Sequence, residues 1–253
     1  MQQGENVAGR RLAGKVVIVT GGTRGMGEAL VRGIVAQGGE VVFGGRDAVA
    51  GSAIQDSVGA GARYVVHDVA RTADWERVVG IALERFGKVT GLVNNAGLAI
   101  GARIERATDE QIAAMIGVNQ LGVLHGMRRV AAPMRATGGG SIVNVGSAAS
   151  LRAHAGVAAY AGTKAAVVGM SLAAAAEFAP DNIRVNVVHP GYFDTRLLSE
   201  ASRGQGAIHG VGRTPLGRVA RPDEIVGPVT FLLSDESSFV TGAQLTVDGG
   251  LTM

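Results

Sequence analysis

Short runs of aliphatic and β-branched residues alternate along the chain with longer stretches of helical periodicity. The runs are KVVIVT (15–20), EVVFG (40–44), RYVVH (63–67), TGLVNN (90–95), GSIVNV (140–145), IRVNVV (183–188) and QLTVD (244–248). Most are apolar without a polar interruption, the habit of strands covered on both faces of a parallel sheet. Helical patterns fill the intervals at roughly 26–37, 48–58, 73–86, 109–117, 120–136, 160–179 and 223–234. Pro222 followed by Asp223 and Glu224 is a good opening for the last of them. Strand and helix in turn predict an α/β fold, a single-domain Rossmann arrangement with a doubly wound, seven-stranded parallel sheet and helices on both faces.

Two segments stand outside this alternation. Residues 1–12 are polar and read as a flexible tail ahead of one folded domain over 13–253. Residues 195–214, TRLLSEASRGQGAIHGVGRT, follow the sixth strand without a clear period. Ligands of open α/β sheets bind beyond the carboxyl ends of the strands, so this stretch reads as a substrate lid, with a plain surface loop as the alternative.

Composition narrows the classes of partner. Of 253 residues 47% are hydrophobic and 18% charged, enough to build a core and too apolar for a disordered chain. The net charge is only +3, and no basic run exceeds the pairs Arg10-Arg11 and Arg128-Arg129, so neither a nucleic acid nor a membrane surface is expected as partner. With no cysteine there are no disulfides, thiolate metal sites or thiol nucleophiles. The five histidines lack metal-ligand spacing, so no metal is expected. The amino-terminal segment has no apolar core, and the apolar stretch Ala165–Ala176 is too short for a bilayer, which together read as a cytoplasmic protein.

Chemistry gathers at two places. KVVIVTGGTRGMGEALVRGIVAQG gives strand, glycine-rich turn and helix, with Gly21, Gly25 and Gly27 able to bring the backbone close to a pyrophosphate at a helix amino terminus. AAYAGTK places Tyr160 and Lys164 four residues apart, hence on one helical face. A free phenol titrates near pH ~10. A nearby ammonium favours the phenolate and moves the group toward the range a general acid/base needs.

The turn is T-G-x-x-x-G-x-G, Thr20 to Gly27, and further matches follow in order: Asn94-Asn95-Ala96-Gly97, Asn119, Ser147, Tyr160-x-x-x-Lys164 and Pro190-Gly191. With these the sequence resembles the short-chain dehydrogenase/reductase family, from about Lys15 to the end. The resemblance implies an NAD(P)-dependent enzyme that interconverts a carbonyl and an alcohol. It implies Tyr160 as general acid/base, Lys164 as its tuner and ribose holder, Ser147 as donor to the carbonyl oxygen, and Asn119 as holder of a relay water beside Lys164. Ser150 is a rival to Ser147, and a polar kink residue is the alternative for Asn119. Cofactor contacts implied are Gly21, Thr23, Arg24, Gly25, Met26, Gly27, Asn95, Ala96, Gly97, Asp68, Val69, Tyr160, Lys164, Pro190, Gly191, Phe193 and Thr195. Asp68 could instead cap the helix near Trp75, and Pro190 could simply end a strand. Relatives of this kind build subunit contacts from the Tyr160 helix and the carboxyl-terminal region, so a homotetramer is expected.

At the end of the second strand, EVVFGGRD, Gly45 stands where NAD-preferring relatives carry Asp, and Arg46 follows. A 2′-phosphate would meet no carboxylate and one guanidinium, which favours NADP(H) over NAD(H), with Asp47 read as the cap of the next helix. Candidate pocket residues are Ser147, His154, Tyr160, Tyr192 and Leu197, with Leu98, Leu151, Val157 and Leu198 around them, implying a small apolar carbonyl or alcohol. The phrases NVVHPG and LLSDESSFVTGAQLTVDGG most resemble hydroxysteroid dehydrogenases, and a 3-oxoacyl-[acyl-carrier-protein] reductase is the runner-up. A dinucleotide-sensing protein is the reading outside enzymes. Two departures from the family stand apart from the proposed chemistry: Gly146 replaces a frequent serine, and Thr90 a frequent aspartate.

Overall fold

The computed structural model describes residues 10–201 and 211–253. All seven expected strands form: β1 (Val16–Thr20), β2 (Glu40–Gly45), β3 (Ala62–Val66), β4 (Gly91–Asn94), β5 (Gly140–Val145), β6 (Ile183–Pro190) and β7 (Gln244–Val247). They make one parallel sheet in the order β3-β2-β1-β4-β5-β6-β7. The order reverses between β1 and β4, so a crevice opens beyond their carboxyl ends. Helices α1 (Gly25–Ala36), α2 (Ala48–Val58), α3 (Thr72–Phe86), α4 (Asp109–Ile116), α5 (Gly122–Ala136), α6 (Ala158–Phe178), α7 (Arg196–Ala201) and α8 (Val226–Leu233) are arranged around it. Two apolar clusters result. One lies between the sheet and α3, α5 and α6; the other lies against α1 and α8. Because β1, β2 and β5 are buried along nearly their whole length, their sequences are apolar almost throughout.

A buried polar seam fixes α6 against the sheet. Asn94 on β4 donates to Asn144 Oδ1 on β5 at 2.8 Å, Asn144 donates to Ser171 Oγ on α6 at 2.8 Å, and Ser171 donates to the Val167 carbonyl at 2.6 Å. Such bonds are costly to leave unmade inside a protein, so the helix has one favoured register against the two strands. That register decides where Tyr160 and Lys164, one to three turns away, meet the sheet edge.

Two expectations are revised. Within the predicted tail, Leu12 is fully buried and its amide donates to the Gln37 carbonyl at 3.0 Å, so Leu12 belongs to the core; residues 1–9 lie outside the described residues. The aperiodic stretch 195–214 contains α7, and residues 202–210 lie outside the described residues. The two predicted helices over 109–117 and 120–136 form as α4 and α5, joined by a π-turn, Gly117–Leu121. Among the described residues no helix is long and apolar enough to cross a membrane, and no three His, Asp or Glu gather as metal ligands.

Candidate active site

The glycine-rich turn between β1 and α1 is shaped by conformation and by close approach. Gly21 and Gly25 have φ of 64° and 55°, where a side chain is strained. A Cβ on Gly27 would run into the Gly21 carbonyl. Thr20 then ties this turn to the end of β4: its Oγ1 accepts the amides of Asn95 at 3.0 Å and Ala96 at 2.9 Å. In return the Asn95 side chain donates to the carbonyls of Thr20 at 2.9 Å and Gly21 at 3.2 Å. The two motifs recognised separately in the sequence are thus one hydrogen-bonded unit at the switch point of the sheet.

Beside this unit lies a cavity of about 430 Å³ that Ser147, Tyr160 and Lys164 all line. Also on its walls are Met26, Asn95, Gly97, His154, Pro190, Gly191, Tyr192, Phe193, Thr195 and Leu197. The remaining expected cofactor residues run away from it along the carboxyl ends of β1 to β3. Gly25 faces the Thr195 side chain, and Gly22 donates to the Gly44 carbonyl at 2.9 Å. The glycine-rich turn and the cavity thus lie side by side at the carboxyl ends of the strands, with Met26 of the turn on the cavity wall.

Ser147 ends β5. Its Oγ accepts the Ala149 amide at 3.1 Å, which leaves the hydroxyl proton free to donate. Burial pushes the Tyr160 phenol above its usual range, and a hydrogen bond with Ser147 partly opposes this. Burial lowers the Lys164 ammonium to about 8, while its Nζ donates to the Val145 carbonyl at 2.7 Å. The expectation that the ammonium lowers the phenol is therefore not met in the protein by itself. Loss of hydration acts on both groups and makes the lysine the one that titrates near neutrality.

Asn119 sits in the π-turn, fully buried. Its Oδ1 accepts the Leu98 amide at 2.8 Å, and its Nδ2 donates to the Leu98 carbonyl at 2.8 Å and to Thr163 Oγ1 at 3.0 Å. Thr163 in turn donates to the Tyr160 carbonyl at 2.7 Å. The side chain thus braces the Leu98 backbone and α6. A point just off Gly97 lies 3.6 Å from Lys164 Nζ and 3.7 Å from Asn119 Oδ1, so both polar atoms face the same small space.

At the end of β2, Thr23 fills the position a side chain on Gly45 would need, its Cγ2 at 2.6 Å. Arg46 and Arg24 are exposed and make no ion pair among the described residues. Asp47 accepts the Ala50 amide at 3.0 Å as the cap of α2, and Asp68 accepts the Ala70 amide at 3.0 Å in a local turn. Val69 is buried, its side chain packed against Gly122. Thr195 Oγ1 accepts the Leu198 amide at 3.4 Å at the start of α7.

Of the suggested pocket residues, Val157 and Leu198 line the cavity, whereas Leu98 and Leu151 do not. Arg152, Arg213 and Leu251 line it without having been singled out in the sequence. Arg152 donates to the carbonyls of Leu251 at 3.2 Å and Met253 at 3.3 Å, so the carboxyl-terminal turn walls the cavity. A pairing across about a hundred residues leaves no local pattern to read.

Comparison with known proteins follows the same lines. A family model described as enoyl-(acyl carrier protein) reductase matches residues 21–252. The chain is 40% identical over 240 residues to a 3-alpha-(or 20-beta)-hydroxysteroid dehydrogenase of Mycobacterium bovis, covering 95% of this chain and 90% of that protein. It is 39% identical over 247 residues to an NADP-dependent (R)-specific alcohol dehydrogenase of Lentilactobacillus kefiri, covering 96% and 98%. A crystal structure of 3-ketoacyl-(acyl-carrier-protein) reductase from Brucella melitensis complexed with NADH matches with a TM-score of 0.90 at 32% identity, covering 95% of this chain and 99% of that one.

Proposed function

From the premise that this chain belongs to the short-chain dehydrogenase/reductase family and is an oxidoreductase of alcohols and carbonyls, we propose that it interconverts a ketone and a secondary alcohol on an apolar substrate, using NADP(H) in preference to NAD(H). The observation that carries this reading is the convergence of Ser147, Tyr160 and Lys164 on one cavity at the switch point. A nicotinamide dinucleotide supplies or takes up the hydride when bound. Tyr160 gives its phenolic proton to the carbonyl oxygen during reduction and recovers it from the alcohol during oxidation. Ser147, its acceptor lone pair held by the Ala149 amide, donates to the same oxygen and stabilises charge that develops there. Lys164 keeps ammonium donors beyond its bond to Val145 for ribose hydroxyls. Near pH 8 it can pass a proton toward the space it shares with Asn119.

The cofactor preference rests on Gly45, Thr23 and Arg46. Thr23 closes off the place of an acidic side chain, and Arg46 stands free to pair with a 2′-phosphate. Alanine and aliphatic walls favour an apolar ring or chain, in keeping with a hydroxysteroid dehydrogenase-like activity. A second reading, reduction of a 3-oxoacyl thioester on an acidic carrier, is favoured by Arg152 and Arg213, since no Asp or Glu lines the cavity among the described residues. Ketosteroids, simple cyclic ketones and 3-oxoacyl thioesters, assayed with NADPH and NADH, separate the two readings; no turnover with any of them would overturn both.

The stretch 195–214 serves as the lid in this reading, since Thr195, Leu197, Leu198 and Arg213 line the cavity. Association into a homotetramer is supported by the outer face of α6, where Gly162 and Gly169 have open space beside them and Leu172 is exposed. A monomeric mass in sedimentation would refute it.

A further inference from the structure

Behind the cavity, one imidazole takes no part in the chemistry above. His189, on β6 directly before Pro190, is fully buried. Its Nδ1 lies 3.1 Å from the Ser147 carbonyl oxygen and 3.1 Å from Ser150 Oγ. Its Nε2 lies 3.2 Å from Oε1 of Gln244 on β7. Ser150 Oγ donates to the same Ser147 carbonyl at 2.6 Å. The ring has room only because residue 146 is glycine: a Cβ there would stand 2.8 Å from Nδ1. The family departure at Gly146 and the buried histidine are therefore one feature.

We propose that His189 is a positioning residue for this reaction: seated against Gln244, Ser147 and Ser150, it holds the turn that carries Ser147 and so sets the direction of the Ser147 hydroxyl toward the substrate oxygen. This rests on the reading above that Ser147 donates to the carbonyl. Burial holds the imidazole below its usual pKa and the Lys164 charge acts the same way, while the bonds to Ser147 and Gln244 and the charge of Asp248 oppose them. A neutral ring has two arrangements. With the proton on Nε2 it donates to Gln244, and Nδ1 can accept from Ser150; with the proton on Nδ1 it donates to the Ser147 carbonyl. Both hold the turn on which Ser147 is mounted. Rotation of that turn would swing Oγ away from the substrate oxygen, and a misplacement of about 1 Å can cost about 100-fold in rate.

The test compares three variants. In His189→Asn the amide reaches the Nδ1 position and keeps Ser147 while losing Gln244. In His189→Gln it reaches the Nε2 position and does the reverse. His189→Leu loses both. Turnover is measured per NADPH-binding site, counted by cofactor fluorescence titration. The proposal expects kcat to fall about 10-fold or more in His189→Gln and His189→Leu, and to stay within about 3-fold in His189→Asn, with the NADPH dissociation constant unchanged. Equal losses in His189→Asn and His189→Gln, or full kcat in His189→Leu, would overturn it. If these variants fail to fold, Ser150→Ala is the second variant, with lowered kcat expected at unchanged melting temperature and unchanged kcat overturning the proposal. Should the wild-type protein reduce no carbonyl, the functional reading fails separately. The His189 contacts are then read by nitrogen-15 histidine spectra, where Ser150→Ala and Gln244→Leu must each shift its ring resonances, and unmoved resonances contradict the proposal.

Discussion

Lys164 donates to the main-chain carbonyl of Val145 across 2.7 Å, from a side chain only 2% exposed. The bond fixes the ammonium between β5 and the pocket, and its burial has a measurable consequence. The folded lysine titrates at about 8, the free one at 10.5. Across that window the unfolded chain holds a proton that the folded chain has released, so stability rises with pH from 8 toward 10.5. Below pH 8 both states are protonated and the cost of burying the charge is present in full. Urea unfolding of the protein without cofactor, compared with Lys164→Met, is expected to show this rise in the wild type alone, by at most about 1.4 kcal/mol per pH unit. Parallel curves for the two proteins would contradict it.

Cofactor choice is testable at the end of β2. Arg46→Ala is expected to weaken NADPH by about 10- to 100-fold, the scale of a charge-assisted hydrogen bond, and to leave NADH nearly unchanged. Gly45→Asp by itself is expected to weaken both cofactors, because its Cβ would press on Thr23 at 2.6 Å. Combined with Thr23→Ala it should bind NADH better than NADPH. Fluorescence titration of each variant with both cofactors decides, and equal losses for the two in Arg46→Ala would misplace the phosphate site.

Gly146→Ser restores the residue many relatives carry and should be harmful here. Its Cβ would sit 2.8 Å from His189 Nδ1, inside a packed sheet edge. Overpacking of this kind costs about 1–3 kcal/mol. Thermal unfolding should show a lowered melting temperature, relieved when His189 is replaced by a smaller residue. An unchanged melting temperature would show that the ring moves freely.

Much of this was legible in the chain because it is local. Buried parallel strands such as VVIVT declare themselves by uninterrupted apolar residues, and Tyr160 and Lys164 share a face by helical geometry. What escaped notice depends on contacts between distant segments. Leu12 looks like part of a loose tail until its packing in the core is seen. Asn119 reads as a kink residue or a water holder, yet its side-chain bonds go to Leu98 and Thr163. Arg152 meets the carboxyl-terminal turn, and His189 meets Ser147 and Gln244, through pairings that no spacing rule encodes. The π-turn at Gly117–Leu121 falls at the break between the two helical patterns, but its wider winding has no spacing signature of its own.

The central claim is that Tyr160 moves the proton while the dinucleotide is held independently of it. Its most direct test is Tyr160→Phe, assayed for NADPH oxidation with the best ketone from the substrate panel and for NADPH binding in the same preparation. The account predicts kcat reduced by about 10²- to 10⁴-fold, with NADPH affinity within about 3-fold of wild type. Turnover at the wild-type rate in Tyr160→Phe would contradict it.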